Sequence, residues 1–126
     1  MLQWQKLVLI AVAGAIGTLA RYGLGGFVQE HTGKVFPWGT AVVNLLGCLA
    51  FGVLWSLWER WVASGEMRAI VFVGFLGGFT TFSTFIFETN GLLSDHEWLP
   101  AIGYFTIHNA GGLAAIVAGL ALGRLL

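Results

Sequence analysis

The run Gly74-Phe75-Leu76-Gly77-Gly78-Phe79-Thr80-Thr81-Phe82-Ser83-Thr84-Phe85 places two adjacent glycines before a cluster of hydroxyls inside an apolar stretch. Gly costs backbone entropy in a helix, and Thr and Ser offer competing local hydrogen bonds, so the run predicts a helix break. Broken backbone deep in a bilayer is tolerated where protein or a water-filled cavity covers it. Its freed carbonyls coordinate a cation and half-helix N-termini face anions. The alternative is a glycine-mediated helix crossing with the hydroxyls bonded back to the preceding turn.

The other polar groups inside apolar stretches are Arg21, Asn44, Glu88, Tyr104, His108 and Asn109. Ionisable groups in hydrocarbon are costly, and each invites a functional reading. Arg21 either snorkels to the headgroups or stands as a fixed positive charge that concentrates anions at a pore mouth. Asn44 either bonds helices together or donates to an anion through its amide without fixing a cation. Phe82 and Phe85 are three apart and share a helix face, with Ser83 and Thr84 turned elsewhere. As rings they either pack or present electropositive edges to a small anion. Glu88 follows Thr84 by one turn and continues a polar stripe. Tyr104 and His108, also one turn apart, make a second stripe able to face it. His108 has no second intramembrane histidine with which to hold a haem. Ser83 has no adjacent base, the acids do not pair, and the glycines lack the lysine of a phosphate loop, so a conduit is expected and an enzyme is not.

The elements that must position these groups follow from composition. Of 126 residues, 57% are hydrophobic and 10% charged, more apolar surface than one small soluble core buries. Four apolar runs bounded by charge, at about 7–28, 38–58, 67–91 and 98–122, are each long enough to span, since a crossing needs about 20 residues. Trp38, Trp58, Trp61 and Trp98 fall at run ends, the depth preferred by amphipathic rings. A secretory signal peptide is the lesser reading of the first run, because apolar sequence continues past Arg21 and three more runs follow. Four spans put both termini on one side. Lys6, Arg60, Arg68 and Arg124 fall there against Lys34, joined by Arg21 if it leans that way, so the bias favours cytoplasmic termini. Nineteen glycines serve close helix packing, within and between subunits, as in the spacing Ala115, Gly119, Gly123. A net charge of zero without a basic stripe excludes nucleic acid as a main partner, and the single cysteine, Cys48, makes neither an intrachain disulfide nor a zinc site. Four helices enclose little interior, so a water-accessible path calls for a dimer.

At Gly14 to Arg21, at Gly39-Thr40 to Asn44-Leu45, and above all at Gly77-Gly78-Phe79-Thr80-Thr81-Phe82-Ser83-Thr84-Phe85 ahead of Glu88, the sequence resembles the Fluc-type (CrcB) fluoride channel family across essentially the whole chain. The resemblance implies an all-α membrane protein. Each subunit has four transmembrane helices with the third broken near the midplane, and two subunits form an antiparallel, dual-topology homodimer with two fluoride pores. It implies passive fluoride export across the bacterial inner membrane and one central structural sodium ion held by the backbone carbonyls of Gly77 and Thr80 from both subunits. Asn44 would donate to fluoride, Phe82 and Phe85 would offer ring edges, and Arg21 would sit in the vestibule. Ser83, Thr84, Glu88, Tyr104 and His108 match the polar track. A narrow donor-lined pore suits a small, strongly hydrated anion and disfavours larger halides. Ile86, Gly112 and Ile116 stand where the family often carries Ser, Ser and Thr, and Asn109 stands where an apolar residue is usual. With the charge bias, these departures raise a heterodimer with an oppositely oriented homologue. Two further readings are a proton-coupled multidrug exporter, which wants an acid in the first span where this chain has Arg21, and an anchor subunit of a larger membrane complex.

Overall fold

The computed structural model describes residues 2–33, 35–60 and 64–126. Within them the chain is helical with no strand, and four helical segments are long and apolar enough to cross a membrane. Helix α1 runs over Gln3–Thr32 and α2 over Trp38–Arg60. The third span, Gly65–Ser94, is two half-helices, α3 over 65–79 and α4 over Phe82–Ser94. Helix α5 is the fourth span, Trp98–Leu125. These helices outrun the apolar stretches of the sequence, because the backbone ladder continues through polar residues until something stops it. Gly33, at φ +96°, stops α1, and Pro37 leads into α2, whose Trp38 opens the helix. At the end of α4, His96 takes a left-handed φ of 61°. Its N–H then reaches Leu93 O and that of Glu97 reaches Leu92 O, a Schellman closure. Trp61 and Lys34, which the sequence places at a run end and in the first connector, lie outside the described residues.

Close glycine contacts set the helix spacing at several crossings, among them α1 with α2 at Gly25 and Gly39. Where α1 crosses α3, a Cβ on Gly17 would strike the Phe75 carbonyl and one on Gly78 the Gly14 carbonyl. Where α2 runs along α5, a Cβ on Gly52 would strike the Ile116 carbonyl and one on Gly119 that of Leu49. Backbones thus touch without intervening side chains, the arrangement that replaces the hydrophobic drive in lipid. Gly123 closes the same seam against Val53 and Ser56, while Ala115, the third member of the small-residue spacing, is half-buried. At the end of the bundle holding the termini, Arg60 Nη2 donates to the Arg124 carbonyl, and Arg68 lies 4.1 Å over the Trp55 ring. Two stretches widen to π-helix, Ala69–Leu76 within α3 and Ile107–Gly111 within α5. The interior cluster holds Ala41, Phe85, Leu92, Ala101 and Tyr104.

Candidate anion pathway at the break in the third span

The third span breaks at Thr80 and Thr81, whose extended backbones separate α3 from α4. Thr80 still donates its N–H and its hydroxyl to Leu76 O, ending α3 tightly. Thr81 starts α4 as its N-cap: its Oγ1 accepts from Thr84 N–H and donates to Thr84 Oγ1 at 2.9 Å.

Side chains from other helices meet the opened backbone. In an unbroken helix the Thr81 N–H would go to Gly77 O. It goes instead to Asn44 Oδ1 at 2.8 Å, and Asn44 Nδ2 donates to Thr81 O at 2.9 Å. The carboxamide therefore grips one residue by both backbone groups, and its second N–H is left for another acceptor. Arg21, one turn beyond Gly17 on α1, donates from Nε to Gly78 O at 3.1 Å. A cation at the C-terminal end of half-helix α3 also complements its dipole.

Two cavities meet at Thr81, which lines both. The first, a vestibule of about 550 Å³, is lined by Arg21, Gln29, Thr40, Thr84, Glu88 and Asp95 among others. Glu88 accepts from Thr40 Oγ1 at 3.0 Å and from Tyr104 OH at 2.5 Å. The Thr84 and Tyr104 stripes inferred from spacing therefore converge on this carboxylate. Tyr104 itself is fully buried behind it and lines neither cavity. The second cavity, about 370 Å³, is lined by Asn44, Gly77, Thr80, Phe82, Phe85 and His108 with Cys48, Asn109, Ile116 and others. Phe82 and Phe85 meet edge to face at 5.6 Å. Phe85 is 3% exposed and stacks on His108 at 4.2 Å, whereas Phe82 is 74% exposed. Ser83 is exposed and lines neither cavity.

Of the departures noted in the sequence, Ile86 is exposed, Ile116 lines the inner cavity, and Gly112 is buried beside Cys48 Sγ. Asn109 returns one N–H to Phe105 O at 2.8 Å and also lines the inner cavity. Sequence reasoning passed over Thr40 and Thr81 as site residues. Thr40, Asn44 and Cys48 recur every four residues on α2, and that periodicity was the available signal for Thr40. Gly77 and Thr80 carbonyls are hard oxygen donors at the wall of the inner cavity, and the redirected Thr81 N–H leaves Gly77 O without its usual helical partner. Both features fit a hard monovalent cation. Among the described residues no cluster of His, Cys, Asp and Glu forms a metal site.

Comparison with known proteins gives one answer across the chain. The family described as CrcB-like protein, Camphor Resistance (CrcB), matches residues 8–120. The fluoride-specific ion channel FluC of Desulforapulum autotrophicum is 54% identical over 122 residues, 96% of this chain and 98% of that protein. That of Nitrosococcus oceani is 51% identical over 124 residues, 98% of this chain and 99% of its own. That of Chloroflexus aurantiacus is 46% identical over 120 residues, 94% and 95% respectively. With a match of this extent over the broken third span and the residues that meet it, the chain belongs to the CrcB-like family.

Proposed function

We propose that this chain forms a fluoride-selective channel of a bacterial inner membrane, a multi-pass protein through which fluoride leaves the cytoplasm passively and so loses its toxicity. The observation that carries the reading is identity of 54% over nearly the full length to a fluoride-specific ion channel. The geometry supplies a mechanism. Arg21, held against Gly78 O at the vestibule wall, concentrates anions with its remaining N–H groups. Thr40, Thr84 and Glu88 form a polar wall leading to Thr81. Beyond it, the second N–H of Asn44 and the ring edges at Phe82 and Phe85 replace the water a small anion gives up. His108 and Tyr104 continue the track, Tyr104 by fixing Glu88 and His108 in the inner wall. Ser83 joins it where a second subunit packs.

The functional unit is an antiparallel homodimer with two pores. Its support is the exposure of Phe82, Ser83 and Gly77 on one chain, since a pore lined by these groups needs another wall. The Gly77 and Thr80 carbonyls at the break would hold a structural sodium ion, which would supply fixed positive charge there. A second reading, pairing with an oppositely oriented homologue, is favoured by Arg60, Arg68 and Arg124 at one end of the bundle.

The test is fluoride efflux, with chloride as control, from liposomes holding this purified chain alone under a potassium gradient with valinomycin. Fast fluoride release without chloride supports the homodimeric channel. Silence from folded protein that gains flux on adding an oppositely oriented homologue selects the heterodimer, and silence in both refutes the channel.

A further inference from the structure

His108 carries the one buried side-chain polar atom among the described residues that has no hydrogen-bond partner, Nε2. Its other ring nitrogen, Nδ1, lies 3.0 Å from Tyr104 O. A carbonyl oxygen only accepts, so Nδ1 carries the hydrogen, and in the neutral ring Nε2 is left as a bare lone pair. The ring has little freedom to turn. Phe85 stacks on one face at 4.2 Å and 19°, and Tyr104 meets it at 4.4 Å and 68°. His108 lines the inner cavity with Nε2 buried just behind the surface, so its lone pair repels an anion in the path, whereas the same atom protonated is a charged donor.

We propose that His108 Nε2 is an anion-linked proton site: fluoride entering the inner cavity brings a proton onto Nε2, and the proton leaves when fluoride does. The inference rests on the fluoride reading and adds a coupling to it. The proton comes from bulk water, forms the Nε2–H bond, and returns to water, with nothing oxidised or reduced. The imidazolium hydrogen then satisfies the orphaned atom and the anion together. The groups facing the ring allow this. From α4, the Glu88 carboxylate acts on it electrostatically, though its oxygens are held by Thr40 and Tyr104. From α2 the inner cavity receives Cys48, and from α5 Tyr104 packs on the ring. Among the described residues α1 and α3 bring no titratable side chain to this cavity, and Arg21 stands across the Thr81 wall in the vestibule.

By linkage, an anion that binds the protonated ring preferentially loses affinity as the proton is lost. Fluoride flux at subsaturating fluoride therefore falls as pH rises, by up to about tenfold per pH unit for one coupled proton. The measurement is flux through the full chain in liposomes from about pH 5.5 to about pH 8.5, the range in which histidine titrates, with protein-free liposomes subtracting passage of undissociated HF. His108→Gln is expected to abolish the slope, and His31→Gln in the last turn of α1 with His96→Gln in the turn after α4 to keep it. A slope that survives in His108→Gln, or a flat profile in the unaltered chain while fluoride still flows, overturns the proton site and leaves the channel reading standing. Absence of fluoride flux at every pH overturns both. Because His108→Gln risks misfolding, proton uptake on adding fluoride to the unaltered protein in weakly buffered solution is the second measurement. About one proton per chain supports the site, and none refutes it.

Discussion

The seam between α2 and α5 and the break between α3 and α4 solve the same problem in opposite ways. At the seam, Gly52, Gly119 and Gly123 remove side chains so that two intact helices touch backbone to backbone. Every backbone bond stays inside its own helix, and the contact is dry packing. At the break, one helix gives up its own ladder. Asn44 from α2 and Arg21 from α1 then take over the Thr81 and Gly78 backbone groups. The first region tolerates no added atom, and the second tolerates no lost hydrogen bond. In a bilayer, rigidity comes from glycine where nothing passes, and from borrowed polar side chains where something does.

The largest expected effect breaks the seam. In Gly119→Val the new side chain meets the Leu49 carbonyl and the Val53 amide, which are backbone and cannot step aside. The cost is about 3 kcal/mol or more, and detergent-purified protein should lose its monodisperse size-exclusion peak. A folded, conducting Gly119→Val would show that the α2–α5 spacing is loose.

At the break, Asn44→Asp keeps the acceptor for Thr81 N–H but sets a carboxylate oxygen against Thr81 O and removes the donor left for an anion. The penalty for the mismatched pair is about 1–3 kcal/mol, and with the anion donor gone fluoride flux should fall by about a hundredfold. Phe82→Ile removes the ring edge of a residue already exposed on one chain. It should therefore cut flux without lowering thermal stability, separating the anion path from the fold. Equal flux in Asn44→Asp and the unaltered chain would remove Asn44 from the path.

How much of this contrast the sequence carried differs between the regions. The break was legible, because Gly77-Gly78 followed by Thr80-Thr81 contradicts helix propensity whatever surrounds it. The role of Asn44 was not. Its residue type fits helix glue and anion donor equally, and only the register at which α2 passes Thr81 decides that it clamps the break with one N–H to spare. The small residues Gly119 and Gly123 announced a close contact but not its partner, since Gly52 and Ser56 on α2 carry the same four-residue spacing and spacing alone does not say which helices meet. The π-helical turns at Ala69–Leu76 and Ile107–Gly111 left no trace in an apolar pattern, because widening by one residue changes hydrogen bonding and leaves hydrophobicity as it was. Tyr104 and Glu88 were placed on two stripes by spacing, and their meeting depends on how α4 and α5 cross.

Around Glu88 the comparison can be sharpened. Thr40→Val removes one of its two donors and Tyr104→Phe the other. Each should cost about 1–2 kcal/mol and lower flux severalfold. If the carboxylate is one shared anchor, the double variant departs from additivity, and a double-mutant cycle on thermal stability reads the coupling. Strict additivity would mean that the two bonds hold separate parts of the bundle.

The smallest effect belongs to the turn that joins α1 to α2. Gln29 Nε2 donates to Gly33 O and, at 3.1 Å, to Phe36 O, while Oε1 accepts the Gly39 N–H at 3.0 Å. One side chain thus satisfies two carbonyls of the connector and one orphan N–H in the first turn of α2, as Asn44 satisfies two backbone groups at the break. The difference is depth. Water can replace the Gln29 bonds at the vestibule end of the bundle and cannot replace those of Asn44 beside the inner cavity. Gln29→Ala should lower thermal stability by about 1 kcal/mol and change fluoride flux less than twofold. A loss as deep as that of Asn44→Asp would mean that the connector, and not the break alone, sets the geometry of the path.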